Sequence, residues 1–313
     1  MNYGPLIFLA AFFALSGSWV GFVLTPQMQV GQLQQTNVVV SGVAYPLARP
    51  GLAREGLEVY RANGCAYCHS QEIVQTGTMR NVVLNEAGTN QAAAVAALME
   101  VTPGTSEGQA REVLRALPKT ILQGVTKEAA DAVTKSLSTA GAKAEPWVVP
   151  VGPDITRGWG KRRTVAQDFL FDYPVMLGSQ RVGPDLANVG ERLPDPNWHL
   201  RHLYAPRLVE RKSSMPPYRF LFEKRRIEKL RSADALDLPA EFASGPEFEI
   251  VPTRESRALV AYLLSLRADT PLFEAPFTVA GLAASAPGTN AAPTTRGAST
   301  NAANSPPTNT PAK

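Results

Sequence analysis

Hydrophobic and polar positions divide this chain into stretches of different character. From Pro5 to Leu24 the side chains are apolar or small and none is charged. About 20 such residues, rising 1.5 Å each, cross a bilayer core of roughly 30 Å. The pattern predicts a membrane anchor over residues 1–25, with Tyr3 and Trp19 near the interfaces. A cleaved signal peptide is the alternative. Against it stand the length of the run and the absence of Lys or Arg before it. Residues 26–48 are polar yet uncharged and read as a tether, since the first charged side chain is Arg49. Near Pro50 a helical pattern begins, with Leu52, Gly56, Val59 and Tyr60 on one face.

Between about Arg80 and Val149 the rhythm changes. Asn81–Asn85 alternates like a strand, and Gln91–Met99 reads as an Ala-rich helix. Ser106 followed by Gln109 fits a capping box, and Ala110, Val113, Leu114 and Leu117 then share a helix face. Thr126 caps a third helix carrying Ala129, Val133 and Leu137, which Gly141 is placed to end. Trp147–Val149 reads as a closing strand. Residues 80–149 thus form a small α+β module inserted between residues 49–79 and 150–275. The second of these stretches is rich in Pro, Gly and Arg up to Glu223. It ends in an amphipathic helix capped by Thr253, with Leu259, Tyr262, Leu263 and Leu266 as its buried stripe. Residues 276–313 are dominated by Ala, Pro, Thr, Asn and Ser. Such a segment cannot bury enough apolar surface to offset its ordering entropy and is expected to be disordered.

Composition changes this picture in two places. A net charge of +4 over 313 residues does not point to nucleic acid. The chain has only two cysteines, Cys65 and Cys68, so it has no disulfide framework. Both lie in Cys65-Ala66-Tyr67-Cys68-His69, the attachment signature for one covalent c-type haem. Two thiols at this spacing can each add to a porphyrin vinyl group, and the adjacent imidazole then reaches the iron. Attachment of such a haem takes place outside the cytoplasm, which orients the anchor. Two other readings remain. One is a thioredoxin-like dithiol, although a helix precedes the motif. The other is a zinc site with His199 and His202, although that pair is closer than the usual spacing.

A sixth ligand is sought among Met79, Met99, Met176, Met215, His199 and His202. Met215 lies in Ser213-Ser214-Met215-Pro216-Pro217-Tyr218, a proline-stiffened loop suited to holding a thioether against iron. His199 and His202 share a helix face and offer the bis-His alternative. Pro184 is a candidate carbonyl acceptor for the second ring nitrogen of His69, and Arg181 and Arg207 are candidate partners of the haem propionates.

These residues carry two resemblances. The anchor, GLEVYRANGCAYCHSQ, GSQRVGPDLANVG, WHLRHLYAPR, SSMPPYRFLF and LVAYLLSL occur in the order seen in the membrane-anchored mono-haem subunit (FixO or CcoO type) of cbb3-type cytochrome c oxidases. The resemblance implies a mainly α protein: an N-terminal transmembrane helix plus a class I cytochrome c domain whose first and last helices cross at Gly56, against Tyr262 or its neighbours. It implies His69 and Met215 as axial ligands and a single-pass subunit of the bacterial inner membrane with its haem domain on the periplasmic side. It further implies electron relay, from another cytochrome c subunit or a soluble cytochrome, to a haem–copper catalytic subunit, with no catalytic residue in this chain. A mono-haem cytochrome serving another reductase, such as nitric oxide reductase, is the alternative. A haem-based sensor is a third reading and requires an open iron.

The module departs from that family. Its NVVLNEAGTN, ALPKTILQGVTKEAADAV and LSTAGAKAE resemble the C-terminal domain of the bacterial ribosomal stalk protein. In that family a lysine-bearing helix binds translation factors. The Gln91–Met99 helix here carries no lysine, so a docking or spacing role is expected instead.

Overall fold

The computed structural model of the chain describes residues 3–38, 43–49, 51–273 and 275. Pro50, part of the predicted tether and the tail from residue 276 onward lie outside the described residues. The apolar run is helical throughout: α1 (Gly4–Trp19), a π-helical stretch at Val20–Leu24 and α2 (Thr25–Gly31). Thr25 Oγ1 donates to the Val20 carbonyl at 2.9 Å, where the wider turn frees an acceptor. No side chain of α1 is buried. A helix that is apolar on every side and packs on nothing is suited to lipid. Its 26 residues from Gly4 to Gln29 are long and apolar enough to cross a membrane.

The segment after the anchor is docked rather than loose. A short hairpin pairs β1 (Thr36–Asn37) with β2 (Ala44–Tyr45). Tyr45 donates its hydroxyl to Asp168 at 2.8 Å. Asp168 is in turn gripped by both terminal nitrogens of Arg162, a fully buried guanidinium, at 2.8 and 2.9 Å. Arg49 pairs with Asp172.

The main body is organised by two helices, α3 (Leu52–Ala62) and α11 (Arg254–Ser265), which pack closely on each other. They meet where Gly56 has no side chain. A methyl group there would overlap the Ala258 carbonyl and lie 2.7 Å from Tyr262 Cβ. The expected close approach at Gly56 is therefore present. Leu57, Tyr60, Leu186, Val189, Leu203, Leu221, Leu259 and Tyr262 form the surrounding core. Thr253 caps α11 through Ser256 N, as its sequence position predicts. Short helices line the rest of the body: α7 (Pro153–Thr156), α8 (Val189–Arg192), α9 (Pro196–Tyr204) and α10 (Pro206–Val209). A hairpin of β6 (Phe222–Arg226) and β7 (Phe248–Pro252) feeds α11; no alternation in the sequence announces it.

The inserted module runs β3 (Gly77–Glu86), α4 (Gln91–Val101), α5 (Glu107–Arg115), β4 (Lys119–Val125), α6 (Lys127–Thr139) and β5 (Lys143–Val151). Its antiparallel sheet has the order β4-β3-β5. The capping box at Ser106 is complete, with Gln109 N donating to Ser106 Oγ and Ser106 N to Gln109 Oε1. Gly141 ends α6 with φ +84°, a left-handed conformation that favours glycine. The first and last strands are neighbours, with Gly77 opposite Val151. The chain therefore leaves the body and returns to it at nearly the same point, which is how a body tolerates an insertion of this size.

Candidate haem site

The Cys65–His69 segment follows α3 directly. Gly64 makes the turn with φ +67°, and a 3-10 turn at Cys65–Tyr67 follows. A loop on the far side of the inserted module clasps this segment. Ser179 N donates to Ala66 O at 3.0 Å, Gly183 N to Cys68 O at 2.9 Å and Leu186 N to Ser70 O at 2.8 Å. Asp185, fully buried, accepts from Ser70 Oγ at 2.6 Å and from Glu72 N at 2.7 Å.

The loop also sets the His69 ring. His69 Nδ1 lies 2.8 Å from the Pro184 carbonyl, so a proton on Nδ1 is donated there and Nε2 is left with its lone pair. Gly183 makes room for the ring. A methyl group on it would come within 2.7 Å of His69 Nδ1. Burial pushes the imidazole below its ordinary pKa, which favours the neutral form that binds metals. Burial also pushes the Cys65 thiol up to about 11. A redox dithiol needs the opposite shift.

These groups open on one cavity of about 480 Å³. Cys65, Cys68, His69, Pro184 and Met215 all line it, as do His199 and His202. Val189, Leu193, Leu203, Leu259 and Leu263 supply apolar wall. The other candidate methionines are elsewhere: Met79 and Met99 are exposed on β3 and α4, and Met176 packs against the body core. His199 and His202 flank Trp198. The first meets it edge-on and the second stacks on it with centroids 4.8 Å apart. The His199 Nε2 position is 2.8 Å from the Leu193 carbonyl. Among the described residues no group of three or more His, Cys, Asp or Glu side chains is arranged to hold a metal ion.

The two arginines singled out from the sequence do not line the cavity. Arg181 makes a two-pronged pair with buried Asp154, at 2.8 and 3.0 Å, and reaches Ser70 Oγ at 2.9 Å. It thereby ties the loop to α7, just beyond the inserted module. Arg207 is exposed, with Nε 3.4 Å from the Ser213 carbonyl. The arginine in the cavity lining is Arg192, which no sequence signal separates from the chain's other basic residues.

The described residues thus combine an exposed apolar helix long enough to cross a membrane, a mainly helical body whose haem-motif residues line one cavity, and an α+β insert. Comparison with known families agrees in two pieces. Residues 147–242 match the family described as cytochrome C oxidase, mono-heme subunit/FixO. Residues 80–145 match the ribosomal protein L7/L12 C-terminal domain. The chain therefore resembles the mono-haem subunit of cbb3-type oxidases, with an inserted domain that resembles the ribosomal one. The first match contains Pro184, Arg192, His199, His202 and Met215; the Cys65–His69 segment precedes it.

Similar curated proteins align with the insert. The large ribosomal subunit protein bL12 of Paracidovorax citrulli is 43% identical over 65 residues, which cover 21% of this chain and 51% of that protein. That of Burkholderia ambifaria is 45% identical over 64 residues, 20% of this chain and 51% of its own. That of Burkholderia vietnamiensis is 42% identical over 72 residues, 23% and 58% respectively. The chain spans about half the length of the curated relatives it matches.

Proposed function

We propose that this chain is the electron-transfer subunit of a cbb3-type haem–copper terminal oxidase. In this reading it holds one haem c through thioethers to Cys65 and Cys68, with His69 and Met215 as axial ligands. The observation that carries the reading is convergence on a single cavity: two thiols at its edge, an imidazole whose Nδ1 faces the Pro184 carbonyl at 2.8 Å, and a thioether. The residues fit a flat macrocycle that is apolar on its faces and acidic at one edge. The walls are aliphatic, while Arg192 Nε and His202 Nδ1 are buried in the lining without a hydrogen-bond partner.

When bound, haem c supplies a one-electron couple. The protein's part is to tune and expose it. Met215 paired with His69 as ligands would raise the potential and close the iron to small ligands, which would suit transfer rather than oxygen chemistry. The Gly178–Leu186 loop holds the His69 ring, and aliphatic side chains exclude water from the haem faces. Cys68 and Tyr67 are exposed, so a haem attached there would present its thioether edge to a partner.

The reading assigns residues 49–79 and 150–275 to a class I cytochrome c fold on the periplasmic side of the bacterial inner membrane. Electrons arrive from another cytochrome c and leave for the haem–copper catalytic subunit; the chain itself makes and breaks no bonds. The insert, residues 80–149, serves as a docking or spacing domain. Solubilising the native membrane complex, staining for covalent haem and identifying the co-purifying chains tests this. A haem–copper subunit in the haem-stained complex is expected. A complex built on a different reductase overturns the oxidase assignment.

A further inference from the structure

The cavity lining has one arginine, Arg192, and one of its nitrogens has no hydrogen-bond partner. Arg192 closes α8, and its Nη2 donates to the Asp185 carbonyl at 2.8 Å. Its Nε is buried without a partner, and among the described residues no carboxylate lies within ion-pair distance of the guanidinium. The Asp185 carboxylate acts on Arg192 through space, but its oxygens accept from Ser70 Oγ, Glu72 N and Ala187 N and none accepts from Arg192 Nε. A buried guanidinium N–H left without an acceptor is unfavourable unless a bound group supplies one. His202 stands on α9 in the same lining. Its ring is held flat against Trp198, and its Nδ1 is likewise buried and unpartnered. Glu210 and Lys212 also line the cavity, but both are exposed and water meets their charge.

Two buried atoms that can donate, one of them cationic, call for an acceptor with negative charge. In the reading above, on which this inference rests, the cofactor brings two carboxylates. We propose that Arg192 Nε and His202 Nδ1 hold the haem propionates, a role that Arg181 and Arg207, both outside the cavity lining, do not fill. Arg181 is committed to Asp154, and Arg207 lies on the surface. Arg192 is then a positioning and tuning residue. Its charge next to a propionate offsets the negative field that would otherwise favour the oxidised iron.

The test uses the full chain, produced with covalent haem attachment, as parent, Arg192→Gln, Arg192→Lys and His202→Phe. Haem content is measured as the pyridine complex, the midpoint potential by titration, and the propionate carboxylate bands by redox-difference infrared spectroscopy with the propionates isotopically labelled. All four are expected to carry one haem per chain. Arg192→Gln lowers the midpoint potential and moves the labelled bands. Arg192→Lys restores most of the potential, and His202→Phe moves the bands with little change in potential. Unchanged potential and bands in Arg192→Gln and His202→Phe would overturn the proposal while leaving haem binding intact. Loss of the low-spin spectrum in His202→Phe would also overturn it, because His202 would then be an axial ligand. If Arg192→Gln does not accumulate, Arg192→Lys and His202→Phe decide by the same infrared shift. A parent without covalent haem would instead remove the functional reading itself.

Discussion

The inserted module closes its core with aliphatic side chains alone: Leu84, Ala94, Leu98, Ala110 and Leu137 are each at most 1% exposed. The body around it buries Tyr60, Leu259 and Tyr262 just as thoroughly but leaves a cavity of about 480 Å³ edged by thiols, imidazoles and a thioether. The two cores share no buried residue. One region packs its interior with aliphatic side chains, whereas the other keeps a cavity lined by sulfur, imidazole and aliphatic groups. Stability in the module therefore depends on packing and capping. In the body, on the proposed function, it would depend also on the haem.

The largest expected break of this contrast comes from removing the attachment points. The double substitution Cys65→Ser, Cys68→Ser should abolish covalent haem. With it the body should lose resistance to limited proteolysis, while residues 77–151 survive as a protected fragment identifiable by mass spectrometry. Gly56→Ala acts on the helix crossing and leaves the proposed haem ligands in place. The added methyl overlaps the Ala258 carbonyl, so α3 and α11 must part, at a cost of about 1–3 kcal/mol. Thermal unfolding followed at the haem should move down, and hydrogen exchange in the module should stay as it was. Ser106→Ala is the converse and the smallest. Loss of the capping box should cost about 1 kcal/mol. Faster exchange confined to α5 and its neighbours, with an unaltered haem spectrum, is the expected result.

The contrast also governs what could be read before any coordinates. The module's three helices and its first and last strands were legible because caps, turns and periodicity are local, while its strand β4 (Lys119–Val125) was not anticipated. Ser106, Thr126 and Gly141 sit at the helix ends their chemistry predicts. In the body the legible parts were the Cys65–His69 motif, the Gly56 crossing and the Thr253 cap. The docking of the segment after the anchor was not, since Tyr45 meets Asp168 across 123 residues and Arg162 looks like any other surface arginine in sequence. The β6–β7 hairpin escaped for a related reason: its first strand, Phe222–Arg226, is mostly charged and carries no alternation. Within the site, Cys65, Cys68, His69, Pro184 and Met215 converge on one cavity as the motifs suggested. The basic residues did not follow suit. A charge's partner depends on tertiary placement, and the fold sends Arg181 to Asp154 while turning Arg192 inward.

If the chain holds haem as proposed, His69 and Met215 would be its two iron ligands. The most direct measurement is the midpoint potential of Met215→Ala, taken with its absorption spectrum and its reaction with carbon monoxide when reduced. The account predicts a lower potential, loss of the methionine-to-iron absorption and rapid carbon monoxide binding. A variant that kept the parent's potential and spectrum and refused carbon monoxide would contradict it.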